Sequence, residues 1–339
     1  MSMRAFVITG PGAASVQEVE RPRAGRGEVV VDVERAGVCG TDLEFFTGGM
    51  NYLRDGQARY PVRIGHEWCG TVAEVGPDVD PGWLGRRVTG DTMLGCGHCG
   101  RCLAGRRHLC ADRFEIGIRN GWPGALAEQL PVPVSALLPL PDAVDATLGA
   151  LVEPGGNALR CVRAAGLSPG ERLLVLGPGT IGLLVALIAA AQGVEVHLLG
   201  RTPESLNFAR SLGFRHAWTE AELPALRYDA VVDASNAAAL PALAVEKVEP
   251  GRRVVFIGIA GEPSLIDTRQ LALADITAVG VLSASGGLAG TIDLYASGAV
   301  DPRPLVAATV GLDDAAAVLA GDRRPGWGPG PKIHISPRQ

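Results

Sequence analysis

Between Cys96 and Cys110 four cysteines follow one another with two, two and seven residues between them (C-G-H-C-G-R-C-L-A-G-R-R-H-L-C). Few folds accommodate such a run. Short glycine-containing loops close with little entropy cost, so four thiolates can converge on one tetrahedral ion. Zinc suits sulfur ligands, and a closed four-thiolate site leaves no position open for a substrate. The lobe spanning residues 94–112, with Cys96, Cys99, Cys102 and Cys110 as ligands, is therefore expected to be structural. Arg101, Arg106 and Arg107 beside it are solvated charges or offset the negative charge of a zinc tetrathiolate.

A chain of 339 residues with 47% hydrophobic content can bury a large core and is long enough for two domains. Its net charge of -5 argues against nucleic acid or an anionic membrane as a partner. The longest apolar run, Ile181 to Ala191, is about half of the roughly 20 residues a spanning helix needs, and the N-terminus shows no signal-peptide pattern. A cytoplasmic location is the expectation. There, seven cysteines read as ligands and buried thiols rather than disulfides. Cys69 and Cys161, in small or apolar surroundings, read as buried hydrophobes.

The first 150 or so residues carry short alternating runs (Arg4–Thr9, Glu28–Glu34, Gly70–Val75, Arg86–Thr89) between frequent turn residues, the pattern of a small β-rich domain. From about Leu151 the rhythm changes. Strands are expected at Arg172–Leu176, Glu195–Leu199, Asp229–Asp233, Arg253–Ile257 and Thr277–Leu282. Helices are expected at Ile181–Gln192, Pro203–Leu212 and about Ala238–Val248. This alternation predicts an α/β, doubly wound parallel sheet. The Pro/Gly-rich end (R-R-P-G-W-G-P-G-P-K) is expected to return to the first domain. The boundaries are 1–154, 155–288 and 289–339.

Gly177-Pro178-Gly179-Thr180-Ile181-Gly182 leaves a predicted strand and opens a predicted helix, the context in which G-x-G-x-x-G binds a dinucleotide. The first glycine permits the turn, the second lets the pyrophosphate approach the backbone, and the third lets helix and strand pack. The helix N-terminus supplies N–H groups to the phosphates. Where an NAD site carries an acid for the ribose, this chain has Gly200 followed by Arg201. With no carboxylate to repel a 2′-phosphate and a guanidinium to grip it, NADP(H) is expected over NAD(H). Arg201 stacking on adenine is the alternative. Gly200→Asp is expected to move the preference towards NAD.

Upstream, Gly37-Val38-Cys39-Gly40-Thr41-Asp42 sets a thiol two residues before a hydroxyl. Gly65-His66-Glu67 sets an imidazole beside a carboxylate, and Leu151-Val152-Glu153-Pro154 offers another carboxylate. With the cysteine lobe and the glycine turn, these elements resemble the zinc-containing medium-chain dehydrogenase/reductase family of alcohol, polyol and sugar dehydrogenases. The likeness covers nearly the whole chain, in the family's order and spacing. It implies a β-rich, GroES-like catalytic domain plus a Rossmann-type domain, and a second, catalytic zinc held by Cys39, His66 and a third group. Alcohol dehydrogenases typically place cysteine third; this chain has Glu153, as in the polyol and glucose/threonine branches. Glu67 is implied to sit behind the metal or to exchange onto it. Such a zinc acts as a Lewis acid towards the alcohol while hydride passes to the nicotinamide. Thr41 is implied to bond the reacting oxygen and pass its proton outwards. The family's relay commonly continues to a histidine three residues on; here that residue is Glu44, which is a proton acceptor, a substrate-hydroxyl anchor or only a solvated carboxylate.

The resemblance and Glu153 favour a hydroxyl-rich small molecule (sugar, polyol or cyclitol). Glu44, Asn51, Glu115, Arg119 and Asn120 are candidate cleft residues, and Trp68 and Trp122 either stack on a ring or pack. A threonine-type amino-alcohol dehydrogenase is the near alternative, which an Arg or Lys aimed at the substrate carboxylate would mark. A zinc-free enone or quinone reductase and a non-enzymatic binding protein on the same fold are more distant. The family commonly forms homodimers or homotetramers, and Thr277–Leu282 is a strand able to pair across a two-fold axis.

Overall fold

A computed structural model describes residues Met1–Gln339. Two sheets organise it. The first, seven-stranded, runs Val306–Gly311, Lys332–Ser336, Glu28–Gly37, Glu67–Val75, Arg87–Gly90 and Leu137–Pro139 in spatial order, with Gln129–Pro133 also paired to Glu28–Gly37. Val, Ile and Thr alternate along these strands. Their inward side chains (Val29, Val31, Val33, Val72, Val88) join Trp68, Ile64 and Phe45 in one core. The C-terminal segment does return to this unit: Lys332–Ser336 pairs antiparallel with Glu28–Gly37 at His334↔Gly37 and Ile335↔Ala36.

The second sheet is wholly parallel. Its spatial order is Ala217–Trp218, Glu195–Leu199, Arg172–Leu176, Tyr228–Asp233, Val248–Phe256, Thr277–Gly280. Numbered along the chain, that is 3-2-1-4-5-6, the dinucleotide-binding order, whose crevice lies where the order reverses, between Arg172–Leu176 and Tyr228–Asp233. Helices Thr180–Ala191, Pro203–Ser211 and Leu240–Lys247 connect its strands. Together the two units are the GroES-like and Rossmann-type pair that the sequence implies.

Helix Val152–Ala165 links the units and has no counterpart in the pattern of the sequence. Its first turn reads Glu153-Pro154-Gly155-Gly156, which looks like a break. Proline is tolerated there because the first helical N–H groups lack intrahelical partners anyway. The glycines are there for close packing. A Cβ on Gly155 would stand 2.2 Å from the Tyr295 hydroxyl, and one on Gly156 2.9 Å from the Ala284 Cβ. The helix packs on Thr180–Ala191 and shares a core with Cys69, Leu140 and Val144 of the first unit. Cys69 and Cys161 lie in that core, where burial pushes both thiols up to about 12.

Candidate active site and metal centres

The Sγ atoms of Cys96, Cys99, Cys102 and Cys110 all lie within 4.8 Å of one another, and all four thiols are free. Cys96 to Cys102 measures 3.9 Å and Cys99 to Cys110 3.8 Å. A tetrahedral zinc with bonds of about 2.3 Å places its sulfurs roughly 3.8 Å apart, so the donor set fits that ion. Backbone N–H groups of Cys96 and Cys99 point at the Cys110 and Cys96 sulfurs. Hydrogen bonds from the His98 and Cys99 backbone lower the Cys96 thiol to about 6, a thiolate suited to a metal. Arg101 donates to the Leu109 carbonyl and Arg107 to the Ser135 carbonyl, which ties the loop down.

Cys39, His66 and Glu67 form a second group with ligand atoms within 4.8 Å of one another. Cys39 is the N-cap of helix Gly40–Thr47, and His66 immediately precedes strand Glu67–Val75. Asp42 joins these two segments. Its buried carboxylate accepts from the Cys39 N–H at 2.8 Å and the Gly65 N–H at 3.2 Å, and Oδ1 stands 3.7 Å from His66 Nδ1. Thr92 donates to the His66 carbonyl. Burial opposes a charge on His66, but Cys39, Asp42 and Glu153 around it hold its pKa well above the ordinary value.

Glu67 is held from the far end of the chain. Lys332 Nζ donates to its two carboxylate oxygens at 2.8 and 2.6 Å and to the Val38 carbonyl at 2.8 Å, with both side chains buried. Gly37 makes room: a Cβ there would lie 2.1 Å from a Glu67 oxygen. Glu153 stands outside the three-residue group. It has one amide donor, Asn157 Nδ2 at 2.9 Å, and no cation in ion-pair contact. Burial, with Glu67 adding to it, raises its carboxyl to about 7. A buried acid lacking a counter-charge fits a position beside a metal ion. Thr41 is half-buried in the first turn of its helix. Glu44, one turn further, is exposed, with its pKa raised by partial desolvation.

The glycine turn has a different role for each glycine. Gly177 sits at φ 93°. A Cβ on Gly179 would meet nothing, leaving open approach at the helix N-terminus that Thr180 and Ile181 begin. A Cβ on Gly182 would fall 1.9 Å from the Gly177 carbonyl oxygen. Gly200 is buried against Leu206 and Pro178, each 2.8 Å from where its Cβ would be. A side chain there would make Leu206 and Pro178 give way, so Gly200→Asp is a strained test of cofactor preference. Arg201 is exposed, with no ion-pair partner.

The remaining candidates scatter. Asn51 is exposed. Glu115 is buried and accepts from Arg113 Nε at 2.7 Å and the Tyr52 hydroxyl at 3.1 Å. Arg119 lies over the Tyr52 ring, with Nε and Nη1 buried and without partners. Asn120 and Trp122 border a separate cavity. Trp68 is fully buried and packs. A third grouping, Glu195–His197–His216, is spoken for. Trp218 Nε1 can only donate, so His197 Nδ1 accepts at 3.3 Å and the ring's one proton points from Nε2 to Glu195 at 2.8 Å.

Residues 25–142 match the alcohol dehydrogenase GroES-like domain and residues 180–297 the zinc-binding dehydrogenase domain. The chain belongs to the zinc-containing medium-chain dehydrogenase/reductase family. It is 32% identical over 270 residues to L-threonine 3-dehydrogenase of Mesorhizobium japonicum, covering 76% of each chain. The enzyme of that name from Rhizobium rhizogenes is 29% identical across 92% of this chain and 93% of its own. Among solved structures, a zinc-binding dehydrogenase from Sinorhizobium meliloti bound to NADP superposes with a TM-score of 0.89 at 28% identity, covering 99% of this chain and 100% of that one. Alcohol dehydrogenase TADH from Thermus sp. ATN1 gives 0.89 at 27% identity, covering 98% and 99%. This family member is a dehydrogenase of the NAD(P)-dependent alcohol type. No helix in it is long and apolar enough to cross a membrane.

Proposed function

We propose that this dehydrogenase oxidises a secondary alcohol of a hydroxyl-rich small molecule (polyol, sugar or cyclitol) with NADP+, using one catalytic and one structural zinc per chain. The observation that carries this reading is the convergence of half-buried Cys39 with buried His66 and Glu67, beside the buried carboxylate Glu153, which is near enough to raise the His66 pKa; of the two carboxylates only Glu67 has a cationic partner. Cys39, His66 and Glu153 would hold the catalytic ion, with Glu67 behind it. When bound, zinc supplies a Lewis acid for the substrate hydroxyl and the nicotinamide supplies the hydride acceptor. Asp42 and Thr92 fix the segments bearing Cys39 and His66. Helix Val152–Ala165 carries Glu153 and rests on the helix that begins at the glycine turn, which couples the two halves of the site. Thr41 Oγ1 takes the substrate hydroxyl proton, and Glu44, one turn on towards solvent, receives it.

Lys332 bears on the substrate. It is a cation beside the centre, but Glu67 and the Val38 carbonyl occupy it, so it is not free to bind the carboxylate of an amino acid. The relatives named L-threonine 3-dehydrogenase support the second reading, an amino-alcohol substrate. Zinc-loaded enzyme assayed with xylitol, myo-inositol, glucose and L-threonine, each with NADP+ and NAD+, separates them. Turnover of a hydroxyl-rich compound at least ~10-fold better than threonine in kcat/KM supports the first reading, and the reverse establishes the second. Arg201→Ala is expected to raise KM for NADP+ ~10–100-fold and leave NAD+ nearly unchanged. Equal effects on both would remove the 2′-phosphate assignment.

We also propose a homodimer or homotetramer. Thr277–Gly280 is one of the two edge strands of the parallel sheet, with the exposed Leu265 and Leu273 nearby in the chain.

A further inference from the structure

A cavity of about 630 Å³ lies apart from the metal centres and the glycine turn, between the hairpin of Ser2–Gly10 with Ala13–Glu20, the 56–63 loop and the 118–123 loop. We propose that it binds a small organic anion, an aromatic or aliphatic carboxylate or sulfonate. Its volume falls within the range of small-molecule sites, about 300–1,000 Å³. None of the residues lining it is acidic, and Arg59 and Arg63 both line it. Neither guanidinium takes part in an ion pair or donates a side-chain hydrogen bond. Most of the chain's other partly buried arginines do one or the other: Arg113 pairs with Glu115, Arg252 with Glu171 and Asp229, and Arg160 donates to the Leu282 and Ser283 carbonyls.

Arg63 shows what the cavity lacks. It is half-buried, and desolvation alone lowers its pKa, with no carboxylate near enough to oppose that. A cation stripped of part of its hydration and left without a counter-ion is the arrangement an incoming anion completes. The rest of the wall suits an apolar body: Val7, Val19, Val62, Ile118 and Trp122 face it, and the amides of Gln17 and Asn120 offer further polar contacts. The Trp122 indole N–H is held by the Pro131 carbonyl, so the ring is fixed in place. Asn120 has its backbone in the left-handed region at φ 60° and donates its N–H to Gln57 across the mouth. The Arg63 carbonyl accepts from the Gly124 N–H, which ties the two loops together beside the cavity.

The test uses zinc-loaded, full-length enzyme saturated with NADP+, which blocks the dinucleotide site. Naphthalene-2-sulfonate and its neutral analogue 2-(methylsulfonyl)naphthalene, which carries no zinc-binding N–H, are titrated by calorimetry. The sulfonate is expected to bind saturably at one site with a Kd below ~1 mM, at least ~10-fold more tightly than the sulfone. Arg63→Met and, separately, Arg59→Met are expected to weaken it ~10-fold, while Arg106→Met on the cysteine lobe leaves it unchanged. Arg59 is exposed, so its variant keeps the test decisive should Arg63→Met fold poorly. Absence of saturable binding at 5 mM (~5-fold above the expected ceiling), equal binding of sulfonate and sulfone, or indifference to both arginine variants overturns the site.

Discussion

The cysteine lobe and the Cys39–His66 centre use similar side chains but are assembled in opposite ways. In the lobe all ligands fall between Cys96 and Cys110, on turns and helices of three or four residues, and Leu103 is 75% exposed. It has almost no core of its own, so under the proposed zinc assignment its shape would rest on the metal cross-link. The centre draws on four distant segments, around Cys39, His66, Glu153 and Lys332. Protein groups already hold it: Asp42 bridges the first two, Thr92 fixes His66, Asn157 holds Glu153 and Lys332 holds Glu67. On the zinc assignment proposed above, the lobe would depend on its metal for structure, whereas the centre is organised in advance by protein groups and would need its metal for chemistry.

Removing one ligand from each region separates the two most severely. His66→Ala or Cys39→Ser is expected to lower kcat/KM at least ~1,000-fold, the several kcal/mol a Lewis acid supplies, while the thermal midpoint moves by only a few degrees. Cys99→Ser is expected to keep activity within ~10-fold but open residues 96–110 to proteolysis. Metal analysis should find one zinc lost in each variant. Collapse of the fold in His66→Ala, or a protease-resistant lobe in Cys99→Ser, would reverse the assignment.

A smaller effect tests whether the centre is truly pre-built. Lys332→Met strands a buried Glu67 carboxylate, and Glu67→Gln strands a buried ammonium. Each is expected to cost about 3–5 kcal/mol in urea unfolding. The double variant Glu67→Gln/Lys332→Met should cost clearly less than the two singles together, because neither charge is left alone. Additive losses would mean the pair does not organise the site.

The same contrast explains what the sequence made legible. The lobe, the glycine turn, and strands Arg172–Leu176 and Glu195–Leu199 are local patterns, and their residues meet where their spacing says. Lys332 could not be read this way, since it reaches Glu67 across 265 residues and nothing local marks a lysine in a C-terminal strand as a partner. Asp42 stood inside a motif, but its bridging role appears only when Cys39 and Gly65 are neighbours in space. Helix Val152–Ala165 was hidden because its packing demands glycines that, read singly, signal a break. Asn120 looked like a cleft residue, yet the fold sets it at a different cavity, beside Trp122.

The smallest effect concerns acid, which should strike the two regions by different routes. In the lobe, on the proposed zinc assignment, protons would compete with metal for the thiolates. Beneath the centre, His334 shares the strand of Lys332; burial, then Lys332 and Arg35, depress its pKa to about 3, and neither ring nitrogen has a hydrogen-bond partner. From the ordinary value of 6.5 down to about 3, the unfolded chain binds a proton that the folded chain refuses. Stability from this residue is therefore complete above pH 6.5 and falls as pH drops, by about 2 kcal/mol at pH 5. His334→Leu removes that proton uptake, so relative to the parent it should gain about 2 kcal/mol in urea unfolding on going from pH 7.5 to pH 5. A variant that loses stability as steeply as the parent would move the acid sensitivity to the thiolates of the lobe.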